Sequence, residues 1–168
     1  MSKSEPINIP TVSGVVDIDV DTAYTQIKDM RIHGAGRIAR LAASALKNYV
    51  ENTNNSDREQ FYNDIMKNGA KLRSARPTAV SLPNGVNIVL ASTKKSYNAG
   101  DSADNIKEAT IKAAEQFVHD SLDAYNKIGE YGGKRIRNGD TVITICNSEA
   151  AISVLKAAHD MGLSLIHI

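Results

Sequence analysis

The chain has 168 residues, 20 of them Lys or Arg and 19 Asp or Glu, for a formal net charge of +1. That balance lacks the strong positive field of a duplex-binding surface, and no uninterrupted apolar run nears the roughly 20 residues of a membrane span. The opening MSKSEPINIP has no apolar core like that of a signal peptide, and the single cysteine, Cys146, excludes an internal disulfide framework, so a cytoplasmic protein without nucleic-acid or membrane partners is expected.

Residues 1–20 are polar, contain Pro6 and Pro10 and end in the short alternating VVDIDV, which reads as a tail or loose strand. From Asp21, a plausible N-cap, Ala23, Ile27 and Met30 recur at helical spacing until HGAG interrupts them. Ile38, Leu41, Ala42, Ala45, Leu46, Tyr49 and Val50 then form a helical stripe that stops at the turn-rich ENTNNSD. Ser56 and Glu59 fit a capping box ahead of a third face made by Phe61, Ile65, Met66 and Leu72. In ARPTAVSLPNGVNIVLAS, Pro83-Asn84-Gly85 reads as the turn of a hairpin; a helix starting near Pro77, with Pro83 bending its early part, fits the same residues. After SYNAGDS, the spacing of Ile106, Thr110, Ala113, Phe117, Leu122, Tyr125 and Ile128 predicts one long helix or two joined ones, closing at YGGKRI.

The pattern changes near residue 136. RNGD reads as a turn, TVITI as a β-branched strand buried on both faces, and SEAAISVLKAAHDMG as a helix ending at Gly162. The expected fold class is therefore α/β: after the tail, a helical domain over residues 21–135, then over residues 136–168 the first strand–helix unit of a parallel sheet. One such unit cannot satisfy its own strand edges, so a truncated sheet is expected, with LSLIHI either a second strand or an unrelated tail.

Cys146 stands where the apolar run meets the last helix, with Asn147 and Ser148 as possible caps. Helix N-termini favour anions and depress thiol pKa values, so the sulfur could serve as a thiolate base or nucleophile; a small buried hydrophobe closing the strand is the other reading. Gly34, Ala35 and Gly36 would let a phosphate approach the backbone at the next helix start, although the same residues suit an ordinary helix–helix connection. Arg31, Arg37 and Arg40 read as a solvated face, and Arg76 as either a phosphate fork or a surface residue. His33, His119, His159 and His167 are scattered, so no zinc site with the cysteine is expected, and no P-loop, dinucleotide fingerprint or serine elbow occurs.

Three blocks in order, MRIHGAGRIARLAASAL, ARPTAVSLPN and IGEYGGKRIRNGDTVITICNSEAA, resemble the archaeal ribose-1,5-bisphosphate isomerases over residues 21–162. The wider superfamily includes methylthioribose-1-phosphate isomerases and the regulatory subunits of eukaryotic initiation factor two-B. The resemblance implies a helical N-terminal domain followed by a Rossmann-like domain, and favours helix over hairpin after Pro77. It implies an aldose–ketose isomerase acting on a sugar bisphosphate in nucleotide (AMP) salvage, no metal or organic cofactor, and a homo-oligomer, hexameric through dimers. It also implies that Cys146 takes the proton from carbon 2, that Arg76 binds phosphate, and that His33, Gly34, Ala35 and Gly36 form the substrate loop. A non-catalytic regulatory or assembly subunit and a methylthioribose-1-phosphate isomerase are the alternatives.

Two departures stand out. The family pattern has Arg-Gly-Ala-Gly where this chain has His33-Gly34-Ala35-Gly36, and neutral imidazole holds phosphate less firmly than guanidinium. The family's proton-donating aspartate and a substrate-binding lysine would fall beyond residue 168, so this polypeptide alone is expected to have little isomerase activity.

Overall fold

The computed structural model describes residues 17–145 and 148–164, and six helices with no β-strand account for the regular structure among them. α1 (Val20–Lys28) starts at Asp19, not Asp21, because the Asp19 carboxylate accepts from the Thr22 amide at 2.8 Å. Met30 lies past its end, 51% exposed with φ of 59°, and so leaves the apolar face that Val20, Ala23 and Ile27 bury. α2 (Ala35–Asn52) buries the whole predicted stripe except half-buried Tyr49. Its small residues Ala39, Ala43 and Ser44 are buried as well, so α1, α3, α4 and α5 can all pack close around it.

α3 (Arg58–Ser74) buries Phe61, Ile65 and Leu72 as expected. Its cap is Asp57, whose side chain accepts from the Gln60 amide at 2.7 Å, one residue later than the predicted capping box. The Pro-Asn-Gly segment forms no hairpin: α4 (Ser81–Asn98) runs through it. Pro83 is the third residue of that helix, where an amide has no intrahelical acceptor, so the ring costs no ladder bond. Pro77 lies in the preceding turn, which shifts the predicted start by four residues. α5 (Ala103–Gly133) is one continuous helix of 31 residues, capped by Ser102 and packed on α2 and α4. Between α4 and α5, the buried hydroxyls of Thr93 and Thr110 meet at 2.8 Å: one donates to the other, and the accepting hydroxyl gives its own proton to the carbonyl of its helix, Val89 or Ile106.

α6 (Glu149–Asp160) is the predicted last helix, capped by Ser148, with Gly162 at φ 78° just past its C-cap. It lies on the C-terminal third of α5, where glycines permit a close approach. A Cβ at Gly129 would stand 2.8 Å from the Ser153 carbonyl oxygen, one at Gly133 2.9 Å from Ala157 Cβ, and one at Gly132 would overlap the Val154 methyls.

The expected α/β class is overturned. TVITI forms no strand, and its Val142, Ile143 and Ile145 are 37, 89 and 82% exposed. Branched side chains favour extended backbone, but a strand exists only when a neighbour completes its hydrogen-bond ladder, and no described segment supplies one. The strand–helix unit expected over residues 136–168 is thus reduced to its helix, and the described fold is all-helical.

Candidate functional site

Two of the six helices lack a side-chain N-cap, and their starts adjoin. α1, α3, α5 and α6 are capped by Asp19, Asp57, Ser102 and Ser148, whereas α2 opens at Gly34 and α4 at Val80 with no side-chain cap. The Ser81 hydroxyl, in the first turn of α4, donates to the Ala35 carbonyl at 2.7 Å and ties the two starts together. Gly34 has φ of 99°, a conformation strained for any side chain, and its carbonyl accepts from the Ile38 amide at 3.1 Å. The first-turn amides of α2 therefore have neither an intrahelical nor a side-chain acceptor and carry the positive end of its dipole, whereas at the start of α4 the Leu82 amide donates to the Ala79 carbonyl at 2.9 Å and Pro83 has no amide to offer.

A third helix start joins them. Glu149, the first residue of α6, receives Arg37 Nε at 2.9 Å and Arg40 Nη2 at 3.0 and 3.2 Å. Arg40 Nη1 donates to the Ser121 hydroxyl at 3.1 Å, and its guanidinium lies over the Tyr125 ring, 5.2 Å from the centroid. The absence of a side chain at Gly36 makes room, since a Cβ there would collide with the Tyr125 hydroxyl and stand 2.9 Å from Arg40 Nη1. Burial alone would raise the Glu149 carboxyl, but bonds from Arg37 and Arg40 and the Arg40 charge outweigh it and hold the group below its ordinary range. Burial pushes the Tyr125 phenol up.

The predicted site residues fall as follows. Gly34, Ala35 and Gly36 form the opening of α2; His33 precedes it and is exposed. Arg76 is half-buried in the turn leading into α4, so the Ser81–Ala35 bond brings its turn to the same end of the bundle as the glycine segment. Cys146 lies outside the described residues; Ser148, two positions on, is the cap of α6. Arg37 and Arg40 do not coat a solvated face as expected: Arg40 is buried, and both are spent on Glu149. Arg31 remains exposed, 4.0 Å from Asp29. Ser81, Tyr125 and Glu149 are the participants the sequence reading missed. Among the described residues no three His, Cys, Asp or Glu side chains gather as a metal would need, and no helix is long and apolar enough to cross a membrane.

Fold and site together define a helical-bundle protein that gathers three helix N-termini at one end. The chain belongs to the initiation factor 2 subunit family, whose profile matches residues 31–166. It is 48% identical over 147 residues to a ribose 1,5-bisphosphate isomerase of Methanocaldococcus jannaschii, covering 88% of this chain and 45% of that protein. The delta subunit of translation initiation factor eIF-2B from A. fulgidus superposes with a TM-score of 0.70 at 26% identity, over 88% of this chain and 44% of that one. The 5-methylthioribose 1-phosphate isomerase of Pyrococcus horikoshii shares the fold, with a TM-score of 0.74 at 24% identity, over 88% and 43%. The chain thus spans less than half the length of the relatives it matches.

Proposed function

We propose that this chain is the part of a ribose 1,5-bisphosphate isomerase that receives the sugar bisphosphate and supplies the catalytic thiol. The observation that supports the reading most is the meeting of the two uncapped helix starts at the Ser81–Ala35 bond. Free amides at a helix start suit a phosphate, and the relative of highest identity given above bears that enzyme's name. In this reading the amides of the Gly34–Gly36 segment cradle one phosphate, with His33 at its rim and Arg76 offering a planar fork from the neighbouring turn. Cys146, three residues ahead of the first residue of α6, is the base that removes the carbon 2 proton; the enediol so formed is reprotonated at carbon 1, which moves the carbonyl from carbon 1 to carbon 2. A helix start two residues away favours the thiolate this requires. No organic cofactor enters the reaction, and the same reading takes the protein as a homo-oligomer.

Isothermal titration of the chain with ribose 1,5-bisphosphate at pH 8 tests the reading. Saturable binding that Arg76→Ala weakens at least tenfold is expected, with methylthioribose 1-phosphate bound more weakly. Equal heats for Arg76→Ala and wild type, or no binding at millimolar ligand, would reject it. A non-catalytic regulatory subunit is favoured by the family profile and by the fold shared with the delta subunit. Alkylation of the lone thiol separates the two: a thiolate reactive at pH 7 supports the enzyme, and an inert high-pKa thiol the subunit.

A further inference from the structure

The charges at the junction of α2 and α6 have no part in the phosphate chemistry above. Glu149 would repel a phosphate, and Arg40 is turned toward Glu149, Ser121 and Tyr125. Both side chains are close to nine-tenths buried, Arg40 at 10% exposure and Glu149 at 11%, so the pair is built into the bundle and is no surface bridge. The Tyr125 ring lies under the Arg40 guanidinium, 5.2 Å from the centroid, and so packs against the buried pair.

We propose that Arg37, Arg40, Glu149 and Tyr125 form a clamp that positions the start of α6 against the start of α2, with Glu149 the positioning residue that acts for the whole helix. The reason is where α6 is held. Its one fully buried residue, Ala158, lies near its far end, and the glycine seam of α5 grips it at Ser153, Val154 and Ala157. No apolar contact of comparable burial fixes its first turn. Apolar packing also tolerates sliding, whereas a carboxylate held by two guanidinium groups fixes direction as well as distance. A clamp at Glu149 therefore sets the one end of α6 that the seam leaves loose, and that end is tied to the first two turns of the uncapped α2. The consequence for ligand affinity rests on the sugar-phosphate reading above; the positioning of α6 does not.

Two measurements on the 168-residue chain test this, with Glu149→Gln as the main variant and Glu149→Asp as the conservative one. Amide hydrogen exchange reads the helix, and titration with ribose 1,5-bisphosphate reads the site. In Glu149→Gln the first hydrogen-bonded amides of α6, from Ile152 onward, should exchange at least tenfold faster while the bonded amides of α2 and α4 keep their rates. Affinity should fall about tenfold with the melting midpoint lowered by about 2–12 °C and the transition still cooperative, as expected when a site is misplaced without being unfolded. Glu149→Asp should recover part of both. Unchanged α6 exchange overturns the clamp. Faster exchange with wild-type affinity, or a large loss of melting temperature at wild-type affinity, makes the network a plain structural tie and overturns its bearing on the ligand. If the wild-type chain takes up no ribose 1,5-bisphosphate, the sugar-phosphate reading fails, and the exchange comparison still decides the clamp. Should Glu149→Gln not fold, Arg37→Gln removes one of the two guanidinium groups on the carboxylate and allows the same comparison.

Discussion

Gly129→Ala puts two opposed effects on one methyl group. Within a helix interior, alanine is favoured over glycine by about 0.8–1.0 kcal/mol, so a free site would be stabilised. Here the new Cβ would stand 2.8 Å from the Ser153 carbonyl oxygen, 3.2 Å from its carbon and 3.3 Å from Ser153 Cβ. The obstacle is the backbone of α6, which can yield only by moving the helix, and overpacking of that kind costs about 1–3 kcal/mol. Subtracting the propensity gain leaves a net loss of about 0–2 kcal/mol, a fall of about 2–4 °C in the melting midpoint for each kcal/mol in a chain of this size. Thermal melts followed by far-ultraviolet circular dichroism measure it. The source of the clash sets the control: Gly132→Ala meets the side chain of Val154, so Val154→Ala should relieve it, whereas no truncation of Ser153 can relieve Gly129→Ala. A midpoint for Gly129→Ala that rises by the propensity term alone would refute the close approach of α5 and α6.

The Glu149 carboxyl sits below its ordinary range in the folded chain, so its contribution is present above the unfolded value and is lost as pH falls through the folded one. Wild type should exceed Glu149→Gln by about 1–3 kcal/mol at pH 7 in urea titrations, and the gap should close on acidification below pH 4.5; a constant gap would deny the ion pair. Thr93→Val and Thr110→Val should each cost about 1 kcal/mol, with the double variant costing less than the sum, because either single change already removes the one bond the two hydroxyls share; strict additivity would contradict that bond. His33→Arg should tighten ribose 1,5-bisphosphate binding at pH 8, because guanidinium offers phosphate a planar charged fork, and an unchanged dissociation constant would reject a phosphate contact at that position.

Helical periodicity located the packing faces well because each was dictated by residues three and four apart. The α2 stripe and the buried face of α3 follow that rule, and the long run after residue 103 resolved into one helix. Capping was legible only to within a residue or two: Asp19 and Asp57 displaced Asp21 and Ser56, since several neighbouring polar side chains can accept the same orphan amides. The Pro83 segment was ambiguous because Pro-Asn-Gly suits both a turn and a helix's first turn, and only tertiary packing selects between them. TVITI misled for the opposite reason, its local preference finding no strand partner among the described residues. At the candidate site, Gly34–Gly36 was recognisable from small residues before an apolar run. The partner of Arg40 was not, because Glu149 lies 109 residues away and nothing local distinguishes a buried arginine from the solvated ones beside it.

Because α2 is enclosed by four other helices, its backbone should open only when the bundle as a whole does. The amides at its mouth are thus anchored to the slowest-opening part of the fold, even though they themselves face outward. A ligand docking there would find donors already held in register and would lose little entropy in ordering them.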